Sequence, residues 1–116
     1  MRNALSSLRN LQVLNLTNNH FSGKLLSSLG DLTNLTKLDL SNNELLGTLP
    51  FKFERLTQLT WLDLSHNGIT DDFYSSNKFA WDNLTQLTYL NMSSNQLQGL
   101  LATLWFNYLP QLTTLD

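Results

Sequence analysis

The sequence predicts an α/β solenoid: a right-handed superhelix with short parallel strands along a concave side and irregular or 3₁₀ turns along the convex side. Two observations predict it. The first is a pattern, L-x-x-L-x-L-x-x-N-x-L, written four times and begun a fifth. Its copies are Leu11, Leu14, Leu16, Asn19, Phe21; Leu35, Leu38, Leu40, Asn43, Leu45; Leu59, Leu62, Leu64, Asn67, Ile69; and Leu87, Leu90, Met92, Asn95, Leu97. The fifth starts at Leu112 and Leu115. The second is composition: leucine fills 29 of 116 positions, as a repeated leucine template demands. Self-similarity at this period decides the architecture before local propensity does, because each unit buries its apolar face only against its neighbours.

Within each unit the L-x-L core alternates apolar and polar residues, the period of a half-buried strand. Leu14 and Leu16 point inward, and Val13, Asn15 and Thr17 outward. The copies run in one direction, so neighbouring strands pair in parallel, with the polar face left open and concave. First leucines are 24, 24, 28 and 25 residues apart. About ten residues of each unit make the strand and its turn; the remainder returns along the convex side. That return carries its own apolar markers: Leu25, Leu29, Leu32; Leu49, Phe53, Leu56; Phe73, Trp81, Leu84; Leu101, Phe106, Leu109. Their loose spacing suits 3₁₀ or irregular turns better than regular helices. Residues 1–116 thus read as one solenoid segment, with repeats starting near 11, 35, 59, 87 and 112.

The asparagine column has a physical reason. After the strand the chain turns sharply inward and leaves backbone groups without ladder partners, and buried groups must be satisfied. A primary amide supplies both an acceptor and two donors. Asn19, Asn43, Asn67 and Asn95 are therefore expected to form a ladder joining each turn to the next.

Composition removes several function classes. Charged residues are 14% of the chain and the formal net charge is −2, which gives no basic footprint for nucleic acid. With no cysteine there is no disulfide, thiolate metal site or cysteine nucleophile. The N-terminal residues lack an apolar h-region, and the longest apolar stretch, Gly99 to Phe106, is too short to cross a bilayer. No H-E-x-x-H, G-x-S-x-G or phosphate-cradling loop is present, so neither cofactor nor metal is expected.

The units resemble the plant-specific subtype of the leucine-rich-repeat family, whose 24-residue unit continues past the Asn as L-x-G-x-I-P. The matching stretches are Phe21-Ser22-Gly23-Lys24-Leu25, Leu45-Leu46-Gly47-Thr48-Leu49-Pro50 and Leu97-Gln98-Gly99-Leu100-Leu101. Leu38-Asp39-Leu40-Ser41-Asn42-Asn43 and Leu62-Asp63-Leu64-Ser65-His66-Asn67 are similar to phrases of that family. Only the second unit keeps the proline, and the third has Thr70-Asp71-Asp72-Phe73 where the glycine falls. The resemblance implies a plasma-membrane receptor ectodomain that binds a peptide or protein on its concave or lateral surface and recruits a co-receptor. Membrane attachment is then expected only through parts outside this chain. Both ends interrupt a unit, so the segment reads as uncapped and open to end-to-end self-association.

Side chains at equivalent strand positions form columns ~4.8 Å apart across the concave face. One is Val13, Lys37, Trp61, Tyr89, Thr114; the next is Asn15, Asp39, Asp63, Asn91, Asp116; beyond lie Thr17, Ser41, Ser65, Ser93, with Asn18, Asn42, His66, Ser94 beside them. The candidate ligand-binding set is Lys37, Asp39, Trp61, Asp63, His66, Tyr89 and Asn91. Trp61 and Tyr89 have the ring chemistry of binding anchors, or they stack as cross-strand pairs over the Lys37 stem. Asp39 and Asp63 are solvated carboxylates at a position the family commonly fills with Asp or Asn, so general acid–base or metal chemistry is disfavoured.

Four N-x-S/T sequons, at Asn15, Asn34, Asn83 and Asn91, are candidates for N-glycosylation on a secretory route. The four extra residues of the third unit are expected between Tyr74 and Ala80, as a convex or lateral bulge that leaves Phe73 and Trp81 in the core. The leading function is non-enzymatic recognition of a peptide or protein by a receptor-type segment. The alternatives are an intracellular scaffold of the same repeat and a truncated product without activity of its own.

Overall fold

A computed structural model describes residues 4–70, 79–97 and 109–116. The expected strands form where the L-x-L cores lie: β1 (Val13–Asn15), β3 (Lys37–Asp39), β5 (Trp61–Asp63), β7 (Tyr89–Asn91) and β8 (Thr114–Leu115). They make one parallel sheet in the order β1-β3-β5-β7-β8. Leu38, Leu62 and Leu90 stack beneath it with no exposed surface, as do Leu35, Leu59 and Leu87. The longer third unit leaves this register intact, because Trp61 still pairs with Tyr89 and Asp63 with Asn91. The extra residues are therefore absorbed outside the strands. Most of the expected bulge, with Phe73, lies outside the described residues, as do Leu101 and Phe106.

The convex return is built from 3₁₀ turns at Ala4–Ser7, Ser27–Asp31 and Phe51–Arg55, and from a four-residue helix, α1 (Phe79–Asp82), in the expanded unit. One hydrogen bond recurs in each unit: Leu8 to Leu5, Leu32 to Leu29, Leu56 to Phe53, Leu84 to Trp81 and Leu112 to Leu109, N–H to carbonyl at 3.0–3.1 Å. Trp81 thus holds the slot of Leu29 and Phe53, half-buried against the core. The turns stack closely. A Cβ on Gly30 would stand 2.3 Å from the carbonyl oxygen of Lys52, so only glycine fits there. Asp31 reaches Arg55 and Lys52 across the same junction.

A second parallel sheet was not among the sequence-based expectations, which gave one sheet and irregular structure elsewhere. Strands β2 (Ser22–Lys24), β4 (Glu44–Gly47) and β6 (Gly68–Ile69) form it in that order. Its strands follow the ladder asparagines Asn19, Asn43 and Asn67, β2 and β4 in L-x-G segments and β6 in the third unit, which lacks that glycine. Gly47, at φ +79°, takes the left-handed conformation that a side chain disfavours and ends its strand. The offset differs between the two sheets. Lys37 pairs with Trp61, 24 residues on, whereas Ser22 pairs with Glu44 and Leu46 with Gly68, each 22 residues on. The second sheet is therefore slid by two residues per unit against the first.

The first unit departs from the template. Phe21 shares the position of Leu45 and Ile69, yet is 48% exposed where they are buried. Leu5, Leu14, Leu16, Phe21, Leu25 and Leu26 border an apolar cavity of about 360 Å³ beside it.

Candidate recognition surface

The strand pairing places Val13, Lys37, Trp61, Tyr89 and Thr114 in one row across the five-stranded sheet. Within it the Trp61 and Tyr89 rings are stacked, with centroids 4.6 Å apart and planes 4° from parallel. The Lys37 ammonium sits 4.2 Å from the centroid of Trp61. Both faces of Trp61 are thus occupied within the chain, one by a cation and one by a ring, and each contact is favourable on its own. The row is a prebuilt stack of half-buried rings.

The neighbouring row, Asn15, Asp39, Asp63 and Asn91, has local work to do. Asp39 Oδ1 accepts the backbone N–H of Ser41 at 3.1 Å and its hydroxyl at 2.6 Å. Asp63 Oδ1 accepts from the N–H of Ser65 at 2.9 Å, and Asn15 Oδ1 from that of Thr17 at 3.0 Å. Asn91 Oδ1 accepts the N–H of Ser93 at 3.0 Å and its hydroxyl at 2.8 Å. These are Asx turns, for which the short Asp or Asn side chain is required. Asp63 is nine-tenths buried, with its Oδ2 at 3.5 Å from both the Tyr89 hydroxyl and Asn91 Nδ2. His66 is exposed and has φ +54°, as do its counterparts Asn18, Asn42 and Ser94 within two degrees. That column marks the sharp inward turn of the chain, and three of its four residues, Asn18, Asn42 and His66, are of types enriched in the left-handed region.

Beneath the turn, each inner asparagine Nδ2 donates to three carbonyls and its Oδ1 accepts one N–H. Asn67 Nδ2 reaches Leu40 at 3.0 Å in the preceding unit, and Leu64 and Ser65 at 3.2 Å in its own. Its Oδ1 accepts the N–H of Leu45 at 3.0 Å. Asn43 bonds likewise to Leu16, Leu40, Ser41 and Phe21, and Asn95 to Leu64, Met92, Ser93 and Ile69. Among the described residues Asn19 Nδ2 donates to Leu16 and Thr17 of its own turn and to no carbonyl of another unit.

A threonine ladder at the other end of the strands went unpredicted. The hydroxyls of Thr36, Thr60, Thr88 and Thr113 donate at 3.0–3.1 Å to the carbonyls of Gln12, Thr36, Thr60 and Thr88. The signal was in plain view: each of these threonines precedes the outward residue of its strand in L-T-x-L.

Of the sequons, Asn15 and Asn91 sit in the concave Asx turns. Asn34 is exposed with its Nδ2 on the Arg9 carbonyl at 2.7 Å, and Asn83 is exposed in the turn after α1. Among the described residues no three His, Asp or Glu converge as metal ligands, and no helix is long and apolar enough to cross a membrane.

A family model described as leucine rich repeat matches residues 9–69, and a second, of two such repeats, matches 57–104. The chain belongs to the leucine-rich-repeat family. Solved structures place this leucine-rich-repeat chain near plant receptors. It is similar to the PEPR1–AtPEP1 crystal structure, at 33% identity and TM-score 0.83, over 97% of this chain and 15% of that one. It is similar to the plant peptide hormone receptor RGFR1 in complex with RGF2, at 33% identity and TM-score 0.67, over 79% and 15%. The ectodomain of the receptor kinase SOBIR1 from Arabidopsis thaliana aligns at 26% identity and TM-score 0.80, over 97% and 58%. The chain thus spans about 15% of the length of the first two. A search of curated proteins gives no significant match. The L-x-G-x segments are similar to those of the plant subtype, and the plant receptors among these structures are what the chain resembles.

Proposed function

We propose that this leucine-rich-repeat chain is a recognition segment of a plant receptor ectodomain, and that a peptide or protein ligand lies across its concave sheet. The observation that carries the reading is the Lys37–Trp61–Tyr89 row. It puts large amphipathic side chains, already ordered by stacking, on a sheet face otherwise made of small polar residues. Preordered rings lose little side-chain entropy when a partner covers them, which is what binding anchors need. The plant receptors it resembles include two solved with AtPEP1 and RGF2. The role is non-enzymatic, since the polar groups of this face are engaged in turns and ladders rather than converging on a reacting atom. A plasma-membrane or extracellular setting follows from the same resemblance, with a co-receptor as a second partner and Asn83 and Asn34 as the accessible glycan acceptors.

Photo-crosslinking tests the face. With p-benzoylphenylalanine at Val13, 54% exposed on the concave sheet, or at Lys52 on the convex side, adducts in protein from its source tissue should form from Val13 and not from Lys52. Adducts from Lys52 alone would move the site off the sheet.

A further inference from the structure

Beside the ring stack, three polar atoms from two units stand at the corners of a near-equilateral triangle. Asp63 Oδ2 is 3.5 Å from the Tyr89 hydroxyl and 3.5 Å from Asn91 Nδ2, and those two are 3.4 Å apart. The placement follows from the register. Asp63 pairs with Asn91, and Tyr89 precedes Asn91 by two residues, on the same face of the strand. Each side is longer than a good hydrogen bond, which closes to about 2.8–3.0 Å. The corners are nonetheless fixed. Asp63 Oδ1 is held by the Ser65 N–H, and Asn91 Oδ1 by the Ser93 N–H and hydroxyl, so the Asx turns aim Asp63 Oδ2 and Asn91 Nδ2 at each other. The stack on Trp61 holds the Tyr89 ring, and with it the hydroxyl. Tyr89 and Asn91 are half-buried and Asp63 is nine-tenths buried, so the triangle is partly desolvated. The two preceding units have no equivalent, since Lys37 and Trp61 stand before Asp39 and Asp63 where Tyr89 stands before Asn91, and neither carries a hydroxyl.

An oxygen standing about 2 Å above the centre of such a triangle lies about 2.8 Å from all three corners. The corners differ in what they offer: a carboxylate oxygen accepts, an amide nitrogen donates, and a phenol does either. An ammonium seated there leaves Asn91 Nδ2 facing a cation, and a carboxylate faces the charge of Asp63. A hydroxyl donates to Asp63 Oδ2 and accepts from Asn91 Nδ2 and the phenol, so it satisfies all three. We infer that the Asp63–Tyr89–Asn91 triangle is a subsite for the side-chain hydroxyl of a serine or threonine in the ligand. Water satisfies the same corners, and a ligand hydroxyl takes its seat with the same bonds, whereas an apolar side chain leaves the corners covered and unpaired. The inference rests on the concave-face reading and adds the chemistry of one ligand position.

The test uses the whole chain and two pools of random N-acetyl hexapeptide amides. The second pool carries Ala and Val in place of Ser and Thr, and neither contains Tyr. Binding is followed by amide NMR shifts. The hydroxyl pool should shift Asp63, Tyr89 and Asn91 saturably, at about tenfold lower concentration than the hydroxyl-free pool. Tyr89→Phe keeps the ring stack, and Asn91→Asp keeps the Asx turn, as Asp63 itself does in the same column. Each should erase the preference between pools while saturable shifts at Lys37 and Trp61 persist; a merely structural role would weaken both pools alike. Equal binding of the two pools, a preference that survives in both variants, or variants that weaken the pools alike overturns the subsite and leaves the concave face. No saturable shift from either pool removes both readings.

Discussion

Asp63 and Asn67 stand four residues apart in one unit, and each accepts a hydrogen bond from a backbone N–H. Their surroundings make them different kinds of residue. Asp63 closes a turn inside its own strand end. Asn67 sits where that strand has turned inward, between two units, and joins carbonyls of both. A polar side chain therefore holds its own turn or ties two units together according to which backbone carbonyls stand within its reach. The same distinction separates Asn67 from Asn19, which is written identically in the sequence but, among the described residues, bonds within its own turn.

The contrast can be broken or sharpened by mutation, in decreasing order of effect. Leu62→Ala, at a fully buried position beneath the central strand, should cost ~2–5 kcal/mol in a denaturant melt. That sets the scale of the shared core. Asn67→Ala strands carbonyls of two units and should cost ~1–3 kcal/mol, while Asn19→Ala costs under ~1. Equal losses for the pair would mean that the ladder acts within turns rather than between units. Thr60→Val keeps the shape and removes one donor to the Thr36 carbonyl, so a loss of ~0.5–1.5 kcal/mol is expected. His66→Gly runs the other way. Relief of the left-handed backbone should stabilise by up to ~1 kcal/mol, with hydrogen exchange at the turn reporting whether the gain is local.

The first sheet was legible because its register equals the repeat: the partner of Lys37 is found by adding 24, and that of Trp61 by adding 28. The rows of the concave face followed directly. The second sheet was not legible, since Ser22 does not pair with its template equivalent Leu46 but with Glu44. Nothing in the spelling of the units encodes that slide; it depends on how far the chain advances after the ladder asparagine turns it inward. The candidate site shows the same division. That Lys37, Trp61 and Tyr89 share a row was readable, and stacking of the two rings over the Lys37 stem was one of the two alternatives the row offered; the face-to-face geometry and the seat of the ammonium on Trp61 were not, because rotamers are chosen by neighbours. The assignment of Asp39 and Asp63 to a binding set also rested on position alone; the Asx turns that engage their Oδ1 atoms appear only once the turn is built.

By itself, then, the sequence determined the stacking direction, the buried leucine columns, the ladder positions and the residues that share the open face. Each of these depends on periodicity, and a period survives being read in one dimension. The tertiary structure decided the slid second sheet, the exposure of Phe21 and the face-to-face stacking of the rings. Each of these depends on what stands on the far side of a residue, which is a property of the neighbouring unit.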